Sequence, residues 1–282
     1  MQIRGIILVT TAFFLGSAAL ILHLLALYSP HWKITKRDIE PVVSPVSYGI
    51  WQRCEYSNLT IIKQGLALGV QPNVQICRPN LYMRYKPNEF NLCYNIRRYC
   101  PVLQVDQIPE GCSCRYLPST KALQWFTVLA AVFLIIGLLL VYLNNIAQPQ
   151  NESAILLVRY APFVCFLAAF ILLVTGLILF GAFLRRDTYE DFSFPIRNLT
   201  GDTEAIQAFD LHSLRNYAKY YEETFSREQY KKAEQELRED ANTHYHTIIG
   251  RATIYEIIAT ILTFIVTAVT FLFATSSRAE DL

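Results

Sequence analysis

Four long apolar stretches, separated by two long polar segments and one short one, set the pattern of this chain. The stretches are Gly5–Tyr28, Ala122–Leu143, Tyr160–Leu184 and Ile257–Ala274. A helix rising 1.5 Å per residue needs about 20 mostly apolar residues to cross about 30 Å of hydrocarbon, and all four meet that length. The second holds no charge, and Trp125 and Tyr142 fall where interfacial aromatics sit. The third helix is predicted to begin at Ala154, so that Arg159 snorkels to the interface and Pro162 lies in the first turns, where its missing N–H does least harm. The fourth is taken from Arg251, with Glu256 at its rim as an interfacial carboxylate. The predicted spans are therefore 5–28, 122–143, 154–184 and 251–274. Arg4 gives the first span a small positive leader, as in a signal peptide. Its apolar run exceeds the 7–15 residues of such a segment and no Ala-x-Ala-like cleavage site follows, so it is read as a helix that stays in the membrane.

An even number of spans puts segments 29–121 and 185–250 on one side, and the turn 144–153 with both termini, including the short tail 275–282, on the other. In the first long segment short β-prone runs alternate with turn residues, as in Ser47–Cys54 and Leu59–Ile62, which predicts a small antiparallel sheet. Asp202–Thr247 in the second contains no Pro or Gly and places Leu214, Tyr217, Tyr221 and Phe225 at helical spacing. Glu228 with Lys232 and Glu234 with Arg238 add i,i+4 support. One long or two shorter amphipathic helices are expected there, running into the fourth span through Ile248-Ile249-Gly250. The aromatic stripe is expected to pack onto the first loop; its other reading is a partner-binding interaction face. The fold class is thus a mainly α membrane protein, a four-helix bundle with a small disulfide-linked β-sheet and a long helical second loop.

Composition agrees: 53% of the residues are hydrophobic and 17% charged, against about 25% charged in soluble domains, so the lipid bilayer is the first partner. Cysteine usage sets the orientation. Six of the seven cysteines, Cys54, Cys77, Cys93, Cys100, Cys112 and Cys114, lie in the first loop, an even set that reads as a disulfide framework made in an oxidising compartment. Cys112 and Cys114 are too close to bond comfortably with each other; otherwise 15 connectivities are open. Both long loops are therefore expected outside the cell and both termini inside, at the plasma membrane. The sequons at Asn58 and Asn198 fall in those loops and are the expected glycosylation sites, whereas the sequon at Asn151 falls in the short turn and is read as accidental. The positive-inside count does not discriminate, because Arg185, Arg186 and Arg251 flank the spans on the outer side and the rule weakens for loops beyond about 60 residues. Segment 29–120 carries 11 basic and 6 acidic residues and segment 185–250 carries 9 and 13, so the two loops attract each other, or a charged partner.

Trp32, the Gly49-Ile50-Trp51 triplet, Cys54 and the later Cys77, placed directly after a first span, resemble the signature of the claudin, peripheral myelin protein and stargazin superfamily. Ile50 stands where that signature has Leu. The segment Ser119–Gln124 is faintly similar to the polar-basic approach to the second helix in claudins. The resemblance implies a left-handed four-helix bundle with an extracellular sheet, Cys54 bonded to Cys77 across adjacent strands, and Trp51 packed at the membrane face of that sheet. Its specific residues cover only a small part of the chain. Both loops are longer than a claudin's, and the four further loop cysteines are outside the superfamily pattern. A Cys-rich first loop, a helical second loop and a very short tail look like the nematode Clc-like group.

No enzyme is expected. The chain has no Gly-rich phosphate loop, no Gly-x-Ser-x-Gly, no Cys-x-x-Cys and no His-Glu-x-x-His, and nothing points to a cofactor, a metal or a nucleic acid. His244 and His246 would point about 200° apart on a helix. His23, in the first span, is expected to hydrogen-bond to a neighbouring helix or to mark a polar path, and Cys165 to pack in the core. Two functions compete: cell–cell adhesion or junction formation through the outer face, in contact with itself or other membrane proteins, and service as an auxiliary subunit of a channel or receptor, as the stargazin branch implies. A pore is disfavoured because no span carries a run of polar residues.

Overall fold

The computed structural model describes residues 3–37, 45–63, 66–85, 112–146, 152–197 and 207–276. The chain divides into two compact units, one of residues 1–32, 119–182 and 250–282, the other of residues 33–118 and 183–249.

The first unit contains four helices long and apolar enough to cross a membrane: α1 (Ile3–Tyr28), α2 (Pro118–Ile146), α3 (Glu152–Ala182) and, at the end, α7 (Arg251–Ser276). The third ends earlier than expected, because Phe183, Leu184 and Arg185 form a turn. On α1 the buried positions include Val9, Ala12, Gly16, Ala19, His23 and Ala26, spaced alternately by three and four. On α7 they include Ala252, Glu256, Ala259, Thr263, Val266 and Thr270 at the same spacing. That mean period of 3.5 marks the seam between the two helices, and its small residues let two backbones approach, which in lipid does what hydrophobic burial does in water. Phe166 of α3 fills the centre with Leu134, Leu138, Ala169 and Val266. Its ring needs the glycines beside it: a Cβ on Gly137 would lie 3.1 Å from Phe166 Cζ, and one on Gly16 would lie 2.9 Å from Leu138 Cδ2. The buried threonines of α7 are not a hydrophilic track, since Thr260, Thr263, Thr267 and Thr270 each donate to the carbonyl four residues back.

Two polar features tie this bundle. His23 and Glu256, both fully buried, pair Nδ1 to Oε2 at 2.7 Å, and the other ring nitrogen of His23 reaches the Thr127 carbonyl of α2 at 2.8 Å. Glu256 is therefore not the interfacial residue expected of it; it is the partner that lets a histidine sit in the seam. The indole N–H of Trp32 donates to the Ala26 carbonyl at 2.7 Å, and its ring meets Phe180 edge-on. Gly250 donates to the Trp32 carbonyl and Ala252 to the His31 carbonyl, starting α7. A Cβ on Gly250 would collide with the His31 carbonyl, so only glycine fits there.

The second unit holds a five-stranded antiparallel sheet in the order β4-β3-β2-β1-β9. The strands are β1 (Lys33–Arg37), β2 (Val46–Tyr48), β3 (Gln52–Lys63), β4 (Leu66–Pro79) and β9 (Tyr245–Ile249). Strands β5 (Tyr82–Tyr85) and β6 (Cys112–Arg115) of the first loop pair antiparallel. The second loop departs from a purely helical reading. It contains α4 (Arg186–Asp191), a hairpin of β7 (Phe194–Ile196) and β8 (Gln207–Phe209), α5 (Leu211–Tyr220), α6 (Arg227–His244) and then β9. Asp210 caps α5, and Ser226 with Gln229 forms a complete capping box on α6. Helix α6 does not continue into the fourth span, because Tyr245-His246-Thr247-Ile248-Ile249 is an aromatic and β-branched run that pairs along its whole length with β1.

Candidate interaction face

The Gly49-Ile50-Trp51 triplet forms the turn between β2 and β3. Gly49 N–H donates to the Gln52 carbonyl at 2.7 Å, Ile50 is buried, and the Trp51 carbonyl accepts from the Asn80 backbone at 2.9 Å. The Asn80 side chain, itself buried, donates to the Gly49 carbonyl. Trp51 is half-buried. Cys54 and Cys77 stand opposite each other in the β3–β4 register and are disulfide-bonded, with Cα atoms 4.0 Å apart. Cys114 is also disulfide-bonded, and Cys165 in α3 is the free thiol among the described residues. Cys93 and Cys100 lie outside the described residues, as does the side chain of Cys112.

Behind this turn lies a buried charge network. Lys33 of β1 pairs with Asp187 of α4 and donates to the Leu184 carbonyl at 2.8 Å. Arg53 of β3 pairs with Asp191 at 2.6 Å, and the Tyr48 and Tyr82 hydroxyls donate at 2.7 Å to Asp191 and Asp187. Burial opposes ionisation of Asp187, but Lys33, Tyr82 and Arg53 outweigh it and hold the carboxyl below its ordinary range. Burial and the neighbouring aspartates push the Tyr48 and Tyr82 phenols well above theirs. Burial works against the charge on Arg53, and Asp191 with the surrounding oxygens more than restores it. Thr35, Thr188 and Thr247 share hydroxyl contacts at 3.1–3.4 Å, joining β1, α4 and β9. Sequence reasoning missed Asp187 and Asp191. A six-residue helix directly after a span gave no periodicity to find, although the net charges of the two loops pointed to attraction between them.

Among the described residues the aromatic stripe packs within the second loop, not onto the first. Leu214 and Phe225 are buried in a core made by the second loop itself, with Phe194, Ile196, Phe209, Leu237 and Tyr245, and Tyr217 packs against it. Leu214 and Phe225 are therefore closed to a partner in this fold, while Tyr217 is half-buried. What reaches solvent is the end of the stripe: Tyr220 is 53% and Tyr221 40% exposed, their rings 4.9 Å apart, followed by exposed Glu222 and Glu223 in the turn to α6. Asn58 sits in β3 where the β3–β4 register shifts between Ser57 and Leu59, a strand position and not an open loop. Asn198 and Asn151 lie outside the described residues. Among the described residues no three His, Cys, Asp or Glu side chains gather into a set that could hold a metal. His244 closes α6 and pairs with Asp240 at 3.1 Å, while His246 belongs to β9.

No family model matches the chain, and no curated protein matches it.

Proposed function

We propose that this chain is a claudin-like tetraspan protein of the plasma membrane, with both termini in the cytoplasm and the two long loops outside, acting by protein–protein contact in cell–cell adhesion or junctions. The observation that carries this reading is the construction of the second unit. Strands from both long loops share one sheet, the Cys54–Cys77 bond pins its β3–β4 edge, and a buried ionic network fixes α4 to it. So much fixed geometry, with exposed tyrosines and carboxylates at the α5–α6 turn, suits a preformed contact surface. The Trp32, Gly49-Ile50-Trp51, Cys54 and Cys77 signature supports the family part of the reading, and the Clc-like layout its narrower form.

Affinity isolation of the tagged chain from its native membrane, after crosslinking of intact cells, tests the proposal. Recovery mainly of the same chain, lost when cells are dispersed before crosslinking, supports adhesion. A channel or receptor recovered in fixed ratio from dispersed cells would replace it with an auxiliary-subunit role.

A further inference from the structure

The hydrogen bonds of His23 fix the relative depth of three helices. One ring nitrogen meets Glu256 and the other the Thr127 carbonyl, so α1, α7 and α2 are level at these residues. Tyr28 lies five residues after His23 and Arg251 five before Glu256. At 1.5 Å per residue both stand about 7.5 Å further along, at the end of the bundle where α1 ends and α7 begins. Trp125, two residues before Thr127, falls between the two levels. Tyr28 and Trp125 are exposed, as the aromatics that mark the head-group layer of a spanning bundle are. Strand β9 runs directly into this level. Ile249 is two residues and Ile248 three residues before Arg251, the first residue of the α7 span, so the chain holds them within about 7 and 11 Å of it. Ile248 is 46% and Ile249 53% exposed. Successive residues of a strand point to opposite faces, so both faces of this end of β9 are open. The strand also closes the sheet order, pairing with β1, where Ile34 and Lys33 stand opposite Ile248 and Ile249.

We infer that Ile248 and Ile249 are seated in the lipid head-group layer and anchor the β1–β9 edge of the sheet to the bilayer surface. Adjacent exposed isoleucines on an edge strand invite a cover. A folded protein covers one face of a strand, whereas a fluid layer closes around both, and both faces carry an exposed isoleucine here. The tether to Arg251 keeps lipid within reach of this strand end in every disposition of the sheet. Arg251, itself exposed, suits the same layer, because its long side chain keeps the guanidinium among phosphates while its stem lies against apolar surface. The inference rests on the spanning reading of α7, and on neither the adhesive role nor the side of the membrane.

Fluorescence quenching of the full-length protein in phosphatidylcholine nanodiscs is the test. A dye is placed on Ile248→Cys or Ile249→Cys in a Cys165→Ala background kept free of reductant, so that the disulfides stay closed. Nitroxides on the lipid head group should quench both labels roughly threefold more strongly than nitroxides at the ends of the acyl chains, about 15 Å deeper. Iodide in the water should quench them several-fold less than a label on Glu222→Cys, an exposed turn position. Iodide quenching of either label to the level at Glu222 would overturn the anchor. Protection from iodide without quenching by head-group nitroxides would overturn it too, since a protein would then cover the strand. A label on Ile261→Cys, exposed on α7 ten residues into the span, separates the two levels. If that label is quenched by iodide, the spanning reading falls and the anchor with it. If it is quenched from the acyl chains while the labels at Ile248 and Ile249 read as water, the anchor alone falls.

Discussion

His23 and Glu256 together hold a place that neither could occupy alone. A lone carboxylate or imidazole within a spanning bundle is expensive, and removing one member of a buried pair typically costs about 3–5 kcal/mol, while replacing both with well-packed apolar residues is close to neutral. Glu256→Leu and His23→Leu should therefore each lower the melting temperature of the detergent-solubilised protein strongly, and the double variant should recover most of it. If the two losses simply add, the pair is not coupled as the geometry requires. In the other unit Asp187 gives a pH prediction. Its carboxyl is held below its ordinary value of 3.8, so its stabilising contribution is complete above that value and is lost as pH falls through the lower folded value. Melting measured from pH 7 down to 3 should show no loss from this group until below about pH 4, and Asp187→Asn should be destabilised at pH 7 yet differ least from the parent at the acid end.

At the scale of elements, apolar length alone found the four helices, because a span needs about 20 such residues and few other structures do. The seam was harder to see. Small residues at Ala12, Gly16, Ala19 and Ala26 carry little contrast in a segment that is apolar on every face, so periodicity tells nothing about which face is packed. Strand β9 was read as helix since Ala, Glu, Lys and Arg dominate the residues before it, and the switch at Tyr245 is decided by pairing with β1, a contact more than 200 residues away in sequence. The glycines report the packing directly. Gly137→Val would press two methyl groups onto the Phe166 ring and should destabilise the bundle by about 1–3 kcal/mol, as overpacking does. The paired change Gly137→Val with Phe166→Leu should restore part of that loss in the same melting assay, and the absence of any rescue would show that the ring is not the obstacle.

For the whole molecule, the Cys54–Cys77 bond was within reach of the sequence, carried by a resemblance and not by spacing, whereas the turn at Gly49-Ile50-Trp51 breaks the Ser47–Cys54 run expected to be β. The buried aspartates that join α4 to the sheet were not within reach, because partners so far apart leave no local pattern. This division changes which part of the second loop can be removed to test function. Replacing Asp202–Thr247 with a linker would delete the core around Leu214 and Leu237 and part of β9, so loss of binding would report unfolding. Tyr220, the last residue of α5, and Tyr221–Thr224 after it are exposed and lie outside that core, which Tyr221 meets only through the ring of the half-buried Tyr217. Exchange of Tyr220-Tyr221-Glu222-Glu223 for Ser-Gly-Ser-Gly should lower the melting temperature by no more than a few degrees, since the Tyr217–Tyr221 ring contact it removes is worth about 0.5–1.5 kcal/mol. It should also leave the Cys54–Cys77 bond intact, as read by alkylation without reduction, while reducing partner recovery from native membrane at least tenfold. Deletion of Ser277–Leu282 should leave recovery unchanged. Should the tail deletion abolish recovery and the turn exchange leave it intact, the proposed contact through the second unit would be wrong.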